Sequence, residues 1–359
     1  LFWIMSLASC FLMIFIPLNR LNDSPMEFYS ERYTDLTKDT KWLSERLGGT
    51  FPVSYQLSTK KESISDPGFL GFLDKFTNWL KSKDEVLHVN SLSIILKDLN
   101  STLHNDDPGW YVIPQEKGIS AEYLFFYEMS LPFGLDLNTT LSQDRLSTKL
   151  TASLKEMKAQ EYKKFDKEVG IYVEENMPKD MVSSGSGMRA IFAFMTETIL
   201  DQLSVALIVG ALLITLTITL FFRSLKLGLL TVIPNLLPIG VSFGLWGLVV
   251  GEVSFLVALG MGTTLGIIVD FTVHILSKYL LAKREMGLNA EEAIIFAFES
   301  VGFALIVLTL ILTAGFLVLL FAYFIPLHGF ALFSTLAFFV ALFIDLLLFP
   351  ALLITFDKK

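Results

Sequence analysis

The sequence predicts a polytopic α-helical membrane protein with one large α/β domain outside the membrane. The 359-residue chain is 53% hydrophobic and only 18% charged, with a mean hydropathy of +0.57, whereas soluble domains average about a quarter charged residues. The charges are also unevenly spread. Residues 300–344 contain no Asp, Glu, Lys or Arg, while residues 19–196 mix charges, turn residues and apolar positions. The apolar runs therefore indicate a membrane bundle, and the mixed region indicates a solvated domain.

Six apolar runs are long enough to cross a bilayer, which takes about 20 residues at 1.5 Å rise per residue. The first run ends near Pro17 and lacks the basic start and the cleavage site of a signal peptide, so we interpret it as a truncated spanning helix. Residues 287–298 form an amphipathic connector before the fifth span, with Asn289 as its predicted N-cap. The six predicted spans are 1–18, 199–222, 227–250, 253–281, 299–324 and 328–356.

The region from 19 to 196 predicts an α/β domain. Strands are predicted at 50–58, 86–92, 147–155 and 181–186, from β-branched content and alternation. Helices are predicted at 66–83, with Asp66 as N-cap, and at 159–176. A helical insertion at about 93–145 separates the two inner strands. Without this insertion the order is β-α-β-β-α-β, which is the ferredoxin-like split βαβ arrangement.

The basic residues of the short loops predict the orientation in the membrane. All of them fall on one side of the predicted bundle, and the opposite short loops, 251–252 and 323–328, contain no Lys or Arg. The positive-inside rule places the basic side in the cytoplasm, so residues 19–196 lie on the periplasmic or extracellular side of a cell (inner) membrane. The basic residues are Arg223, Lys226, Lys278, Lys283, Arg284, Lys358 and Lys359.

The composition argues against several other classes of function. The net charge is −8, and no basic stretch suits a nucleic-acid partner. Cys10 is the single cysteine, so no intrachain disulfide can form and no Cys/His spacing predicts a metal site. We expect no cofactor and no chemical catalysis.

The stretch from Glu252 to Arg284 contains the strongest candidate site, because it places Asp270 inside a predicted span. A carboxylate at the centre of a lipid-exposed helix costs about 2.5–3.5 kcal/mol on insertion scales. Steps of four residues put Gly262, Gly266, Asp270 and His274 on one stripe of the helix. Glycines on this stripe would let another helix pack closely, so we expect Asp270 to face protein rather than lipid.

Four further polar residues in the spans are candidates for a proton relay, each with a structural alternative. His274 either relays protons or is a satisfied polar residue between helices. Thr309 and Thr313 either face Asp270 or bond back to carbonyls of their own helix, and the second reading is slightly favoured for each. Asp345, a possible second acid, fits a structural partner or an interfacial acid better than a second carrier.

One span, a large external domain and five further spans resemble one half of a resistance-nodulation-division (RND) transporter. Six stretches make the similarity more specific, and five of them look like the branch containing MMPL-type lipid exporters and Patched-like proteins. GIIVDF (266–271), with His274, looks like the GxxxD[YF] element of the fourth helix of each half. The others are IPNLLP (233–238), GFALIVLTLILTAGF (302–316), DLLLFPALL (345–353) and, in the external domain, LSERLGGTFPVSYQL (43–57) with ISAEYLFFYEMSLP (119–132).

The resemblance implies a secondary active transporter that uses the proton-motive force to export lipids or other hydrophobic molecules. The GxxxD acid, here Asp270, would lie in the proton path, and the external domain would form the substrate channel. The halves of this family are parallel repeats, so we expect the chain to be the C-terminal or N-terminal half of a twelve-span protein. Its start inside an apolar run and its end soon after Lys358 and Lys359 favour the C-terminal half. It would then need the N-terminal half or a second copy of itself. The alternatives are a Patched-like sterol or lipid sensor and a SecD/SecF-like secretion accessory.

Overall fold

The computed structural model describes residues 2–21, 28–29, 35–46, 49, 51–59, 63–116, 118–132 and 137–357. Four residues used in the predictions lie outside these ranges. They are Leu1 of the predicted first span, Thr50 of the first predicted strand, and the basic residues Lys358 and Lys359. The helices and strands, in chain order, are α1 (Phe2–Met13), β1 (Arg20–Leu21), α2 (Leu36–Arg46), β2 (Phe51–Ser58), α3 (Pro67–Lys81), β3 (Val86–Asn90), α4 (Leu92–Leu103), α5 (Ile119–Ser130), β4 (Ser147–Leu154), α6 (Ala159–Asn176), α7 (Met188–Phe222), α8 (Leu225–Val249), β5 (Glu252–Val253), α9 (Phe255–Arg284), α10 (Ala290–Leu317), α11 (Pro326–Phe343) and α12 (Phe349–Phe356).

The chain divides into two compact units. One unit is Leu1–Thr34 together with Thr196–Lys359, and the other is Asp35–Met195. We call them the helical unit and the α/β unit. The boundary between them falls within α7.

The α/β unit is built on an antiparallel sheet with the strand order β2-β4-β3. Alternate residues of β2 and β4 are buried, because successive side chains of a strand point to opposite faces. This buried face packs against α3 and α6, where Phe76 and Tyr162 are fully buried and the rings of Tyr55 and Phe76 meet edge to face at 5.4 Å. Helix α3 begins as predicted, because Asp66 Oδ1 accepts a hydrogen bond from the backbone N–H of Gly68 at 2.8 Å.

The fourth predicted strand, 181–186, is not a continuous strand. It contacts β2 through two isolated antiparallel bridges, Ser54 with Ser186 and Leu57 with Val182. Between them, the backbone N–H of Gln56 donates to the side-chain oxygen of Ser183 at 2.9 Å, where a regular ladder would use a backbone carbonyl. The hydroxyl replaces the backbone acceptor, so the pairing is interrupted, although the segment still runs along the free edge of β2.

The described part of the helical unit contains five helices that are long and apolar enough to cross a membrane. They are Asp201–Phe222, Leu225–Val249, Phe255–Arg284, Ala290–Phe321 and Pro326–Phe356. The predicted first span is a shorter apolar helix, Phe2–Leu18, whose last turn is a 3₁₀ helix. The predicted count of six spans is therefore not confirmed by helix length.

The short helix α1 packs closely along α8, and two glycines allow this approach. A Cβ atom at Gly244 would overlap the carbonyl oxygen of Leu12, and one at Gly247 would lie 2.5 Å from the carbonyl oxygen of Phe15. The side chain of Asn19 fixes the end of this contact, because its amide donates to the Phe243 carbonyl oxygen at 2.9 Å. The two backbones could not come this close with larger side chains on α8.

The last two spans differ from the prediction in detail, although the predicted last span, 328–356, agrees with the candidate span Pro326–Phe356. The predicted connector 287–298 and the fifth span are one continuous helix, α10, which begins at the predicted cap: Asn289 Oδ1 accepts from the Glu292 N–H at 2.9 Å. The last span is interrupted by a π-helical turn, Ile344–Leu348, between α11 and α12. Such turns are rare and occur mostly as single insertions, which simple periodicity does not reveal.

Candidate functional site

Helix α9 is long because both of its ends suit a helix and its sequence between them is apolar. Ser254 is the N-cap, and Lys283 and Arg284 lie in the last turn, where positive charge is favoured by the helix dipole. One side of α9 is buried against neighbouring helices, including Ile268, Phe271 and Thr272. The opposite side is exposed along the helix, and we call it the Asp270 face. It consists of Leu259, Gly262, Thr263, Gly266, Asp270, His274 and Ser277.

Asp270 and His274 form a pair on this face. His274 Nε2 lies 3.4 Å from Asp270 Oδ1, one turn apart, and each side chain is 55% exposed. The described helices of this chain do not cover Asp270, so the predicted contact with protein is not made within the chain. A Cβ atom at Gly262 or Gly266 would meet nothing within 4 Å, so no described helix of the chain packs on these glycines. The neighbouring helices instead occupy the buried side of α9.

The two threonines of α10 are not hydrogen-bonded to Asp270. Thr309 is buried and donates to the carbonyl oxygen of Leu305 in its own helix at 2.9 Å, as in the structural alternative. The hydroxyl of Thr313 is buried and has no hydrogen-bond partner among the described residues.

Asp345 is a fully buried acid in the bundle. It lies in the π-helical turn, where its Oδ1 accepts a hydrogen bond of 3.1 Å from the hydroxyl of Thr272 on α9. Its Oδ2 has no hydrogen-bond partner in the described part of the chain. Thr272 was not a candidate in the sequence. The spacing alone indicates that Thr272 lies on the side of α9 opposite Asp270, because a residue two positions later in a helix points in nearly the opposite direction.

A polar cluster at the C-terminal end of α9 was also not predicted from the sequence. Asp357, just after α12, accepts hydrogen bonds from the hydroxyl of Tyr279 at 2.9 Å and from Lys283 Nζ at 2.8 Å. Lys226 Nζ lies 3.7 Å from its second oxygen. Burial raises the pKa of Asp357, but these hydrogen bonds and the two lysine charges outweigh it and hold the pKa below its usual value. The cluster thus joins α8, α9 and the end of α12.

The α/β unit contains a cavity of about 620 Å³ beside the edge of its sheet. Apolar side chains of Val169, Val173 and Val182 line it together with the polar groups of Tyr55 and Asp166. Burial raises the pKa of Asp166 above its usual value and raises that of Tyr55 strongly. The cavity therefore combines an apolar wall with polar groups, and its lining also includes the charged side chains of Glu174, Lys179 and Asp180.

No group of three or more His, Cys, Asp or Glu residues that could hold a metal ion occurs within the described ranges. Three acids of the helical unit have side-chain partners: Asp270 lies beside His274, Asp345 accepts from Thr272, and Asp357 belongs to the cluster with Tyr279, Lys283 and Lys226.

A sequence model described as the MMPL family matches residues 134–359. The chain belongs to the MMPL family. The match covers more than half of the chain and includes all five candidate spans together with the Asp270 face. Membership supports a multi-pass membrane transporter of the RND superfamily that acts on hydrophobic substrates, rather than an enzyme. No curated protein matches this MMPL chain.

Proposed function

We propose that this MMPL chain is one half of a proton-driven exporter of lipids or other hydrophobic molecules, and that Asp270 is its proton carrier. The observation that carries the proposal is the Asp270–His274 pair on the uncovered face of α9. Ionisable side chains at membrane depth are costly unless they face protein or water, and they commonly mark ion pathways.

The Asp270 face fits a covering helix from the missing half or from a second copy of this chain. Gly262 and Gly266 lie one helical turn apart on this face, and the space beside both is open. Small residues at this spacing allow close helix packing in membranes. A partner would shield Asp270 from lipid and could supply a matching acid. The site is incomplete without this partner, which explains why the carboxyl group is exposed in one chain.

The pair has the chemistry that proton coupling requires. When Asp270 is ionised and His274 is protonated, they attract each other; neutralising either partner removes this attraction. A proton that crosses about 100 mV releases about 2.3 kcal/mol, which is enough to shift a two-state bundle appreciably. On α10, Thr313 is the better relay candidate, because its hydroxyl has no partner among the described residues while that of Thr309 is already bonded.

The α/β unit is assigned as the substrate-gathering domain on the periplasmic or extracellular side. Its order β3-β4-β2, with residues 181–186 along the free edge of β2, supports a ferredoxin-like βαββαβ core with an insertion. Its cavity of about 620 Å³ is within the size range of sites for small molecules. The basic residues at the end of α9 and at the start of α8 support a cytoplasmic location for that end of the bundle.

The experiment is transport by the purified assembly in proteoliposomes with an imposed pH gradient. Export of a fluorescent lipid and internal pH are recorded together. Asp270→Asn should abolish both substrate export and coupled proton flux, because an amide cannot carry a proton at this position. Glu291→Gln, a matched acid-to-amide change at an exposed position of α10, should leave both unchanged.

Export and proton flux that persist in Asp270→Asn would contradict the proposal. Retained regulation of a partner by that variant would favour a Patched-like sensor. Loss of preprotein secretion when the chain is removed, with lipid export intact, would favour a SecD/SecF-like accessory.

A further inference from the structure

Asp345 is enclosed on several sides by the helical unit. Its neighbours in the π-helical turn, Ile344 and Leu348, pack against Phe2 and Met5 of α1 and against α8. Thr272 of α9 provides its one hydrogen bond, and Oδ2 is left without a partner among the described residues. Buried polar atoms are almost always hydrogen-bonded, so an orphan carboxyl oxygen points to a missing proton contact or a water molecule.

Among the residues that the structure describes, no cation balances a charge at the position of Asp345. None of the titratable or charged groups on the helices around Asp345 forms an ion pair or hydrogen bond with it in the described structure. A buried carboxylate without a cation is strongly unfavourable, so the group is stable here as a neutral acid. The groups concerned are Cys10 on α1, Lys226 on α8, Asp270, His274, Lys278, Tyr279, Lys283 and Arg284 on α9, Glu291, Glu292 and Glu299 on α10, and His328 on α11.

The π-helical turn makes this position unlike the rest of the bundle. It inserts one extra residue into a turn of the last span and so disturbs the regular hydrogen-bond pattern beside Asp345. Turns of this kind occur frequently at functional sites. A residue that served only to fill the core would require neither an acid nor an irregular turn.

Three further buried polar groups lie in the same interior and also lack partners. They are Asn235 Oδ1 and Ser242 Oγ on α8 and Ser334 Oγ on α11, all within the described residues. Asn235 and Ser242 lie on one side of α8, since seven residues make about two turns. Ser334 and Asp345 similarly share a side, because eleven residues make about three turns.

Contacts of neighbouring residues indicate where these groups lie along the helices. On α8, the side that contains Asn235 and Ser242 also contains Ile239 and Trp246, which pack against residues of α9 and α11. At the level of Ser242, the rings of Phe243 and Phe333 are 4.6 Å apart, next to Ser334. From Ser334 to Asp345 the helix rises about 16 Å. Ser334 therefore lies within α11, about three turns before the buried acid.

The geometry points to Asp345 as a second proton-binding site of this chain, supplied by water that Asn235, Ser242 and Ser334 hold in the interior of the bundle. The proton passes from a hydronium ion to Oδ2, which leaves a neutral water and a neutral carboxyl group. Thr272 keeps its hydrogen bond to Oδ1. The site lies on the buried side of α9, opposite the Asp270 face, and does not require a covering half.

Infrared difference spectroscopy of the full protein in lipid tests the site without reference to transport. The wild type at neutral pH should show the carbonyl band of a protonated carboxyl group, and labelling with ¹³C-aspartate should shift it. Asp345→Asn should remove the band, and Asp270→Asn should leave it in place. Thr272→Val keeps the acid and should shift the band, because it removes the hydrogen bond to Oδ1. A band that is absent in the wild type, or that persists in Asp345→Asn, overturns the proposal.

Exchange into D₂O tests the water path. The carboxyl band should shift as its proton exchanges with solvent. Ser334→Val should slow this exchange about tenfold, because it removes a polar group that a buried water needs. Thr355→Val, at an exposed position where the hydroxyl bonds only to its own helix, should not. An unchanged rate in Ser334→Val would exclude this route. These spectroscopic results do not depend on Asp270. The Asp345 site can therefore be confirmed or overturned whether or not the exporter proposal is correct.

Discussion

Lys283 donates two hydrogen bonds to Asp357, one to its backbone carbonyl oxygen and one to its carboxylate, each 2.8 Å long. The two residues are distant in the sequence, and their contact joins two helices at one end of the bundle. The hydroxyl of Tyr279 donates to the same carboxylate. This cluster holds the end of α9 against the end of the last span.

Lys283→Met should lower the free energy of unfolding by about 1–3 kcal/mol, because it leaves a partly buried carboxylate without its main donor. Thermal unfolding in detergent measures this. Lys278→Met, on the same helix but not among the donors to Asp357, is the control and should change stability by less than about 0.5 kcal/mol. Equal losses in the two variants would show that the cluster contributes nothing specific.

Acidification should lower the stability of the bundle, because it protonates Asp357. The pKa of Asp357 is lower in the folded protein than its usual value of 3.8. Its contribution is therefore fully present above pH 3.8 and is lost as the pH falls through the folded-state pKa. Unfolding followed from about pH 5 downward should show a steeper loss in the wild type than in Asp357→Asn. Parallel curves would contradict this assignment.

Gly244→Ala should destabilise the packing of α1 on α8 by about 1–3 kcal/mol, because the new Cβ overlaps the Leu12 carbonyl oxygen and the backbones must separate. Gly210→Ala in α7 meets nothing within 4 Å and should be neutral or slightly stabilising. Unfolding in detergent distinguishes them. If both variants were as stable as the wild type, α1 would not be held by this close approach.

The Asp270 face should be covered by protein in the functional assembly. In a Cys10→Ser background, Gly262→Cys labelled with a benzophenone should form a photo-adduct with the proposed second half of the transporter or with a second copy of this chain. Leu310→Cys, exposed on α10, is the control and should react mainly with lipid. Mass spectrometry identifies the products. Adducts with lipid alone at both positions would rule out a helix on this face.

Two glycines of the α/β unit should respond in opposite directions to alanine. Gly170 lies inside α6 with open space around its Cβ position, so Gly170→Ala should stabilise by about 0.5–1 kcal/mol through helix propensity. A Cβ at Gly185 would lie 2.9 Å from Val53 Cγ1, in the fully buried core, so Gly185→Ala should destabilise. Urea unfolding of the purified protein checks both signs. The same sign for both would contradict the packing described here.

Local features of the fold could be predicted from the sequence. Asp66 and Asn289 cap helices because a side-chain oxygen reaches an N–H group two or three residues away, and this depends only on neighbouring residues. Helix α6 follows its predicted bounds, 159–176, for a similar reason: its amphipathic period is visible in the sequence.

Long-range relationships could not be predicted. Thr272 and Asp345 are 73 positions apart, and only the packing of α9 against the last span brings them together. The stripe of Gly262, Gly266 and Asp270 was visible, but periodicity does not tell which side of a helix its own chain covers. The same limit applies to the fourth strand, where Ser183 interrupts the ladder through a side-chain hydrogen bond.

The open side of α9 links acidity to assembly. A neighbour that covers Asp270 changes how strongly this carboxyl group holds its proton. By thermodynamic reciprocity, proton concentration must then change how strongly that neighbour binds. If this chain associates with another half as proposed, the strength of that association would therefore depend on the pH at Asp270.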